Sequence, residues 1–241
     1  MPESYHLPTV CYDHCGQLRR AGFEFEVGNL SVVETAEALH GALGGDLEIA
    51  SPFEATLRGS RVGKLKIERD AQLLKSMKYR SWLEKLGVDF SPGTVANDLE
   101  TGLDTASRNL VPCEVVTSPL SLLELQHLDV LVATLSSLGA EGTQGSPLYA
   151  FGLHINPSIP EESADSLRRF IQAFLLLSDW ITLTSEVDVT RRFLTKYIDP
   201  YPPAYEELVL DRDYRPDMAG LIGDYMRHNP TRNRALDMLP I

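Results

Sequence analysis

Residues 22–28 constrain the fold of this chain more than any other segment, because they alternate strictly between apolar and acidic side chains. A period of two is typical of a β-strand that buries only one of its faces. The two phenylalanines and Val27 would lie on the buried face, and Glu24 and Glu26 would share the other. A strand of this kind needs a sheet with one open face, and such sheets are commonly antiparallel.

The remaining segments alternate loosely between strands and helices. The pattern Ser31-Val32-Val33-Glu34 is a capping box, which predicts a helix that begins there and ends before Gly44-Gly45. The same spacing of Ser121 and Glu124 predicts a second helix, which runs to about Ser137. Further strands are predicted at 47–50, 61–69, 111–117 and 148–156, and further helices at 70–86 and 163–181. A loop or insertion is predicted at 87–109, and a glycine-rich connection at 139–147. We therefore predict an α+β fold, a mainly antiparallel curved sheet with helices packed on one face.

Composition excludes several classes of protein. The chain has 241 residues with 22 Lys plus Arg and 34 Asp plus Glu, a formal charge of −12. This balance argues against non-specific binding of nucleic acid, which needs a cationic surface. No apolar run approaches the ~20 residues of a membrane span. Three cysteines make no disulfide framework, so we expect a cytoplasmic protein.

Residues 1–20 are polar and lack periodicity, so we expect an N-terminal lead-in followed by one catalytic domain over 21–241. Cys11, His14 and Cys15 could bind zinc by residue type. Structural zinc sites use two spaced pairs, however, and the next cysteine is distant, so a lead-in with ordinary thiols is favoured. The chain ends within an apolar stretch, which predicts a C-terminally truncated form.

Carboxylates form the first group of candidate site residues. Glu24 and Glu26 would lie ~6.5–7 Å apart on one strand face, where they repel each other unless water, a base or a cation lies between them. Glu114 interrupts an otherwise apolar strand and must face solvent, a partner or a metal. His154 shares its strand face with Gly152 and Asn156, and a glycine there leaves room for a ligand. The alternatives are a solvated acidic face and a histidine that only makes hydrogen bonds.

Basic and amide side chains form the second group. Residues 229–237 contain Arg232 and Arg234, which could bind phosphoryl oxygens with two N–H groups each. The alternative is a helix start with Asn229 as its cap. Arg191 is a weaker candidate of the same kind, with an ion pair as its alternative role, and Lys66 could belong to an ordinary charged strand face.

The order of these motifs resembles the amidoligase family, whose members are carboxylate–amine ligases with a glutamine-synthetase-like fold. The resemblance runs from about Gly22 to Ile241. It rests on Gly22-Phe23-Glu24-Phe25-Glu26, on Glu114-Val115-Val116-Thr117-Ser118-Pro119, on Gly152-Leu153-His154-Ile155-Asn156-Pro157, and on the segment from Asn229 to Asp237. Where relatives carry a second histidine this chain has Asn156, which predicts a hydrogen bond to substrate.

The resemblance implies an ATP-dependent enzyme that forms an amide or peptide bond through an acyl phosphate. By position it implies that Glu24, Glu26, Glu114 and His154 bind Mg²⁺ or Mn²⁺. The expected catalytic residues are Arg232, Arg234 and Asp70, the expected nucleotide-binding residues are Asn229, Lys66 and Arg191, and the expected substrate-binding residues are Asn156 and Asp237.

The implied partners are a carboxylate substrate, such as an amino acid, a peptide or a cell-wall fragment, and an amine or ammonia. A homo-oligomer would be in keeping with this superfamily, whereas nucleic acid and membranes are not expected partners. Two alternatives use the same residues. One is a metal-dependent phosphotransferase or hydrolase, and the other is a non-catalytic binding module that keeps the fold.

Overall fold

A computed structural model describes residues 5–69, 112–140, 152–184 and 198–239 of the chain. Its main element is a seven-stranded sheet in the order β2-β3-β4-β5-β1-β6, with β7 pairing with the free edge of β1. Every strand pair in it is antiparallel, which confirms the predicted α+β class. The strands are β1 (Arg20–Val27), β2 (Asp46–Ser51), β3 (Glu54–Ser60), β4 (Gly63–Glu68), β5 (Cys113–Thr117), β6 (Leu120–Ser121) and β7 (Leu153–Pro157).

The described residues also form five α-helices, which we number α1 (Val32–Leu43), α2 (Leu128–Ser137), α3 (Ala164–Thr184), α4 (Pro203–Leu210) and α5 (Met218–His228). The chain divides into two compact units. The first comprises Met1–Thr9 and Leu18–Ser158, and contains the sheet with α1 and α2. The second comprises Val10–Gln17 and Ile159–Ile241, and contains α3, α4 and α5. The predicted domain boundary after residue 20 stays a prediction.

The sheet of the first unit buries one face, as the alternation in β1 predicts. Helices α1 and α2 belong to the same apolar core as that face, and the apolar alternates of β3, β4 and β5 pack there. The fully buried side chains of this core include Leu39, Leu57, Leu65, Ile67, Val115 and Leu131. Because neighbours along a strand point to opposite faces, the polar alternates of the same strands all project from the other side.

Helix α1 begins and ends where its sequence predicts. The Ser31 hydroxyl accepts a hydrogen bond from the Glu34 backbone N–H at 3.1 Å, and so satisfies one of the unpaired donors of the first turn. Gly44 follows the last turn with a φ of 71°, a conformation that glycine adopts without steric cost. The predicted helix at α3 and the predicted strands around β1, β2, β4, β5 and β7 are likewise present. The helix expected at 70–86 and the loop or insertion expected at 87–109 lie outside the described residues, as do residues 141–151.

The structure differs from the sequence analysis at three places: an additional strand, a helix that begins later than predicted, and an alternative that it excludes. Strand β3 was not predicted. The helix expected at Ser121 begins only at Leu128, because Ser121 pairs with Arg20 of β1 and its hydroxyl accepts from Leu123 rather than from Glu124. The alternative of a helix start at Asn229 is wrong. Asn229 follows the last residue of α5, and its backbone N–H donates to the Tyr225 carbonyl oxygen at 2.8 Å.

The second unit is organised around an aromatic cluster. The rings of Tyr201 and Tyr205 stack with centroids 5.5 Å apart, and Tyr225 meets Tyr205 edge to face at 5.8 Å. Helices α3, α4 and α5 supply the apolar side chains that pack around these rings. Among the helices described, none is long and apolar enough to cross a membrane.

Candidate functional site

Strand pairing gathers the candidate residues of the first unit on the sheet face opposite α1 and α2, which we call the open face with reference to those two helices. In β1, Glu24 lies opposite His154 of β7 on one side and Val116 of β5 on the other. Residues directly opposite each other in an antiparallel pair point to the same face. The register therefore continues this row through Lys66 of β4, all on the face that α1 and α2 leave uncovered.

The next row of the same face is acidic across four adjacent strands. Glu26 of β1 lies opposite Glu114 of β5, Glu114 opposite Glu68 of β4, and Glu68 opposite Glu54 of β3. Directly opposed residues have Cβ atoms ~4.5–5.5 Å apart, and like charges at such positions destabilise a sheet. The sequence indicated Glu26 and Glu114. The alternation also puts Glu68 on the polar strand face of Lys66. It did not place Glu68 or Glu54 beside Glu26 and Glu114, because that adjacency depends on strand register.

Glu114 is the central carboxylate of this row and carries an electrostatic cost. Burial raises the pKa of its carboxyl group, and the charges of Glu24, Glu68 and Glu26 raise it further, while His154 acts in the opposite direction. No side chain in the described part of the chain donates a hydrogen bond to its carboxylate. A bound cation would reduce the repulsion between a half-buried carboxylate and the two carboxylates beside it.

Glu24 is held from the edge strand β7. The Asn156 side-chain amide donates to Glu24 Oε1 at 2.8 Å, and His154 Nδ1 lies 3.2 Å from Glu24 Oε2. Both carboxylate oxygens of Glu24 are thus engaged by side chains of β7. The sequence placed Glu24, His154 and Asn156 on polar strand faces, and the structure brings the three into contact.

Glu26 is held by backbone. Its Oε2 accepts a hydrogen bond from the Gly152 N–H at 3.0 Å, while its own N–H donates to the Gly152 carbonyl oxygen at 3.0 Å. A Cβ added to Gly152 would lie 3.9 Å from Glu26 Oε2 and from the His154 ring, so the missing side chain faces the site. The glycine therefore leaves the space between Glu26 and His154 open.

Lys66, expected to bind nucleotide, is paired on the same face. Its ammonium lies 2.6 Å from Glu68 Oε2, and this hydrogen bond raises the pKa of Lys66. The contact offsets part of the negative charge of the acidic row at Glu68 of β4. It also means that Lys66 would have to leave Glu68, or to bring Glu68 with it, in order to bind a phosphate.

The arginine segment of the second unit is built around Asn229. Asn229 is fully buried, its amide donates to the Tyr225 carbonyl oxygen at 3.1 Å, and its Oδ1 accepts from Arg234 Nε at 3.1 Å. Arg234 also donates to the carbonyl oxygen of Pro200 and lies over the ring of Tyr201, 5.5 Å from its centroid. Asn229 thereby fixes Arg234 in one orientation.

Arg232 of the same segment is exposed and paired. Its Nε donates to Asp237 Oδ2 at 2.9 Å, with 72% of the Arg232 side chain accessible. Most of the Arg232 side chain therefore stays accessible to solvent, whereas Asp237, expected to bind substrate, is the partner in that ion pair. Asp70 and Arg191 lie outside the described residues.

The donor set fits a hard divalent cation in kind, since Mg²⁺ and Mn²⁺ prefer carboxylate oxygens. Neighbouring ligands around an octahedral Mg²⁺ lie ~3 Å apart, given metal–oxygen distances of ~2.1 Å. Glu24 Oε2 and His154 Nδ1 lie 3.2 Å apart, in hydrogen-bonding contact and close to that separation. In the described ranges, no group of three or more His, Cys, Asp and Glu side chains is arranged to hold a metal ion.

Comparison with known proteins adds one match. A family model described as "Putative amidoligase enzyme" matches residues 17–240 of the chain. That range includes every residue assigned above to the open sheet face and to the arginine segment. No curated protein and no solved structure matches the chain.

Proposed function

The chain belongs to the amidoligase family, and on that premise we propose that it is an ATP-dependent carboxylate–amine ligase with its metal-binding residues on the open face of the sheet. The coarser function, a ligase that forms amide bonds, follows from the family. The observation that supports the metal assignment is the strand register, which sets Glu114 between Glu26 and Glu68 and sets Glu24 against His154.

We propose Glu24, Glu26, Glu114 and His154 as the ligands of Mg²⁺ or Mn²⁺. Mg²⁺ is usually held by one or two protein carboxylates, with waters and substrate phosphates completing its shell. Glu26 and Glu114, which lie directly opposite each other on β1 and β5, suit that pattern. His154, which contacts Glu24, would add a nitrogen ligand. When bound, the ion would neutralise charge on the ATP phosphates during phosphoryl transfer.

The proposed reaction has two steps. An oxygen of the substrate carboxylate attacks the γ-phosphorus of ATP, so that an O–P bond forms and the bond to the ADP oxygen breaks. The amine nitrogen then attacks the acyl carbon of this acyl phosphate. A C–N bond forms, the C–O bond to phosphate breaks, and a proton leaves the nitrogen.

We propose Arg232 and Arg234 for the phosphoryl-neutralising role, because bidentate N–H donors stabilise the equatorial oxygens of a transferring phosphoryl group. Asn229 would act through Arg234, whose Nε it binds at 3.1 Å. The same proposal keeps the roles expected from the resemblance for four further residues. It assigns catalysis to Asp70, nucleotide binding to Lys66 and Arg191, and substrate binding to Asp237. A carboxylate substrate and an amine or ammonia are the proposed partners.

The test is release of ADP and phosphate by the full chain with Mg²⁺, measured with and without a mixed pool of amino acids and amines. We expect turnover that rises when the pool is added and that Glu24→Gln abolishes. Glu48→Gln is the matched control, because it removes the same charge from the same sheet face but from an exposed carboxylate that pairs with Arg58 at 3.5 Å.

Other outcomes decide between the alternatives. Turnover of ATP that does not change when the pool of amino acids and amines is added would identify a metal-dependent hydrolase or phosphotransferase. Absence of turnover, together with absence of Mg²⁺-dependent ATP binding by calorimetry, would identify a binding module. Full activity in Glu24→Gln would refute the metal assignment whatever the reaction.

A further inference from the structure

The two acidic residues of β1 are held in different ways, and the difference concerns Asn156. Glu26 is held by the backbone N–H of Gly152, so no side chain of β7 decides its position. Glu24 instead receives a hydrogen bond from the side chain of Asn156, at 2.8 Å to Oε1. The orientation of Glu24 therefore depends on which residue occupies position 156.

The strand register explains how the Asn156 side chain reaches Glu24. Asn156 lies opposite Gly22, two residues along the strands from the Glu24–His154 pair, which makes the two pairs neighbours on the same sheet face. Gly22 has no side chain, so the Asn156 amide can lean along β1 toward Glu24. Nothing on β1 lies between the two side chains, and the bond forms on the open sheet face.

The two oxygens of Glu24 are left in unequal states. An amide N–H carries no net charge and cannot lose its proton near neutral pH, so the bond to Oε1 persists whether or not a cation is present. The contact of Oε2 with His154 Nδ1 depends on a proton, which a bound cation would replace. Outer hydrogen bonds of this kind orient the carboxylates that bind metals.

We propose that Asn156 is a positioning residue for Glu24, which fixes the carboxylate so that Oε2 alone is presented beside His154. This inference rests on the proposed metal-binding function of Glu24. It gives Asn156 a role other than the substrate contact expected from the sequence. Removing the amide would free Glu24 to rotate away from His154, and metal affinity would fall without loss of the fold, because every residue of β7 is exposed.

The first measurement is binding of Mn²⁺ to the full chain without nucleotide, followed by electron paramagnetic resonance. We expect Asn156→Ala to weaken Mn²⁺ binding about 10–100-fold, the usual effect of losing such an outer contact. Asn156→Gln, which keeps an amide donor, should recover most of the affinity. Ile155→Ala is the matched control, since it truncates the neighbouring side chain of β7 on the opposite face and should bind Mn²⁺ as the wild type does.

The second measurement is independent of metal. The side-chain amide resonance of Asn156, assigned by its loss in Asn156→Ala, should shift in metal-free Glu24→Gln, because Glu24 accepts its hydrogen bond. An unchanged Asn156 resonance in Glu24→Gln would overturn the proposal. The proposal would also be overturned if Asn156→Ala bound Mn²⁺ with wild-type affinity while Glu24→Gln bound it weakly. Wild-type affinity in Glu24→Gln would instead refute the metal assignment, and the positioning role with it.

Discussion

Glu114→Gln should make the metal-free protein more stable at neutral pH, although it removes a residue that we assign to metal binding. The substitution keeps the shape of the side chain and removes its charge. Glu114 faces Glu26 and Glu68 directly across its two neighbouring strands, and none of the described side chains donates a hydrogen bond to it. Its loss therefore relieves repulsion and leaves no donor unpaired.

The expected gain follows from these two opposed pairs. A cross-strand charge pair contributes ~0.2–1 kcal/mol. Because Lys66 lies 2.6 Å from Glu68 Oε2 and offsets part of the charge of Glu68, the two pairs together predict a gain of about 1 kcal/mol. For a chain of this size that gain raises the unfolding temperature by about 2–4 °C. The gain should depend on pH. The pKa of Glu114 is raised in the folded state, so in the wild type this group lowers the free energy of unfolding as the pH rises through that pKa. The variant lacks this contribution.

The assay is thermal unfolding by circular dichroism in a chelating buffer of low ionic strength, at a series of pH values. The difference between variant and wild type should vanish below about pH 4, where the carboxyl group is protonated in both states. Glu48→Gln should show no gain, since its carboxylate pairs with Arg58 on the exposed part of the sheet. A loss of stability in Glu114→Gln at pH 7, or a gain that persists at pH 4, would refute the electrostatic reasoning.

Three further substitutions have distinct expected outcomes. Tyr205→Phe should leave the free energy of unfolding unchanged or raise it by up to about 1 kcal/mol in thermal unfolding. The reason is that the buried hydroxyl of Tyr205 has no hydrogen-bond partner among the residues described. A loss of more than about 1 kcal/mol would reveal such a partner. Ser31→Ala should cost about 1 kcal/mol of unfolding free energy through loss of the bond to the Glu34 N–H, measured by urea denaturation, and an unchanged midpoint would show that the cap is not stabilising. Arg232→Ala should cost less than about 1 kcal/mol, since its ion pair with Asp237 is exposed, yet it should abolish ATP turnover; turnover equal to the wild type would remove Arg232 from the proposed machinery.

Local patterns predicted those parts of the fold that local contacts determine. The alternation in β1 predicted both the strand and the common face of Glu24 and Glu26, because side-chain direction in a strand follows from position alone. The capping box at Ser31 predicted the start of α1, since its hydrogen bond spans three residues.

Parts that depend on distant segments were not predictable in this way. The box at Ser121 has the same spacing as that at Ser31, but pairing with Arg20 of β1 takes its backbone into the sheet. The contact between Asn156 and Glu24 joins residues 132 positions apart in the chain. Such contacts come from strand order and register, which single-segment patterns do not encode.

The position of β7 in the sheet affects how such a site can change over evolutionary time. In the described sheet β7 pairs with β1 alone, and its residues are exposed, whereas Phe23 of β1 is buried in the core. Substitutions at 154 and 156 would thus alter the surroundings of Glu24 with little effect on folding. Related chains could diverge in metal or substrate preference through this one strand, and a laboratory selection for altered preference should begin by randomising those two positions.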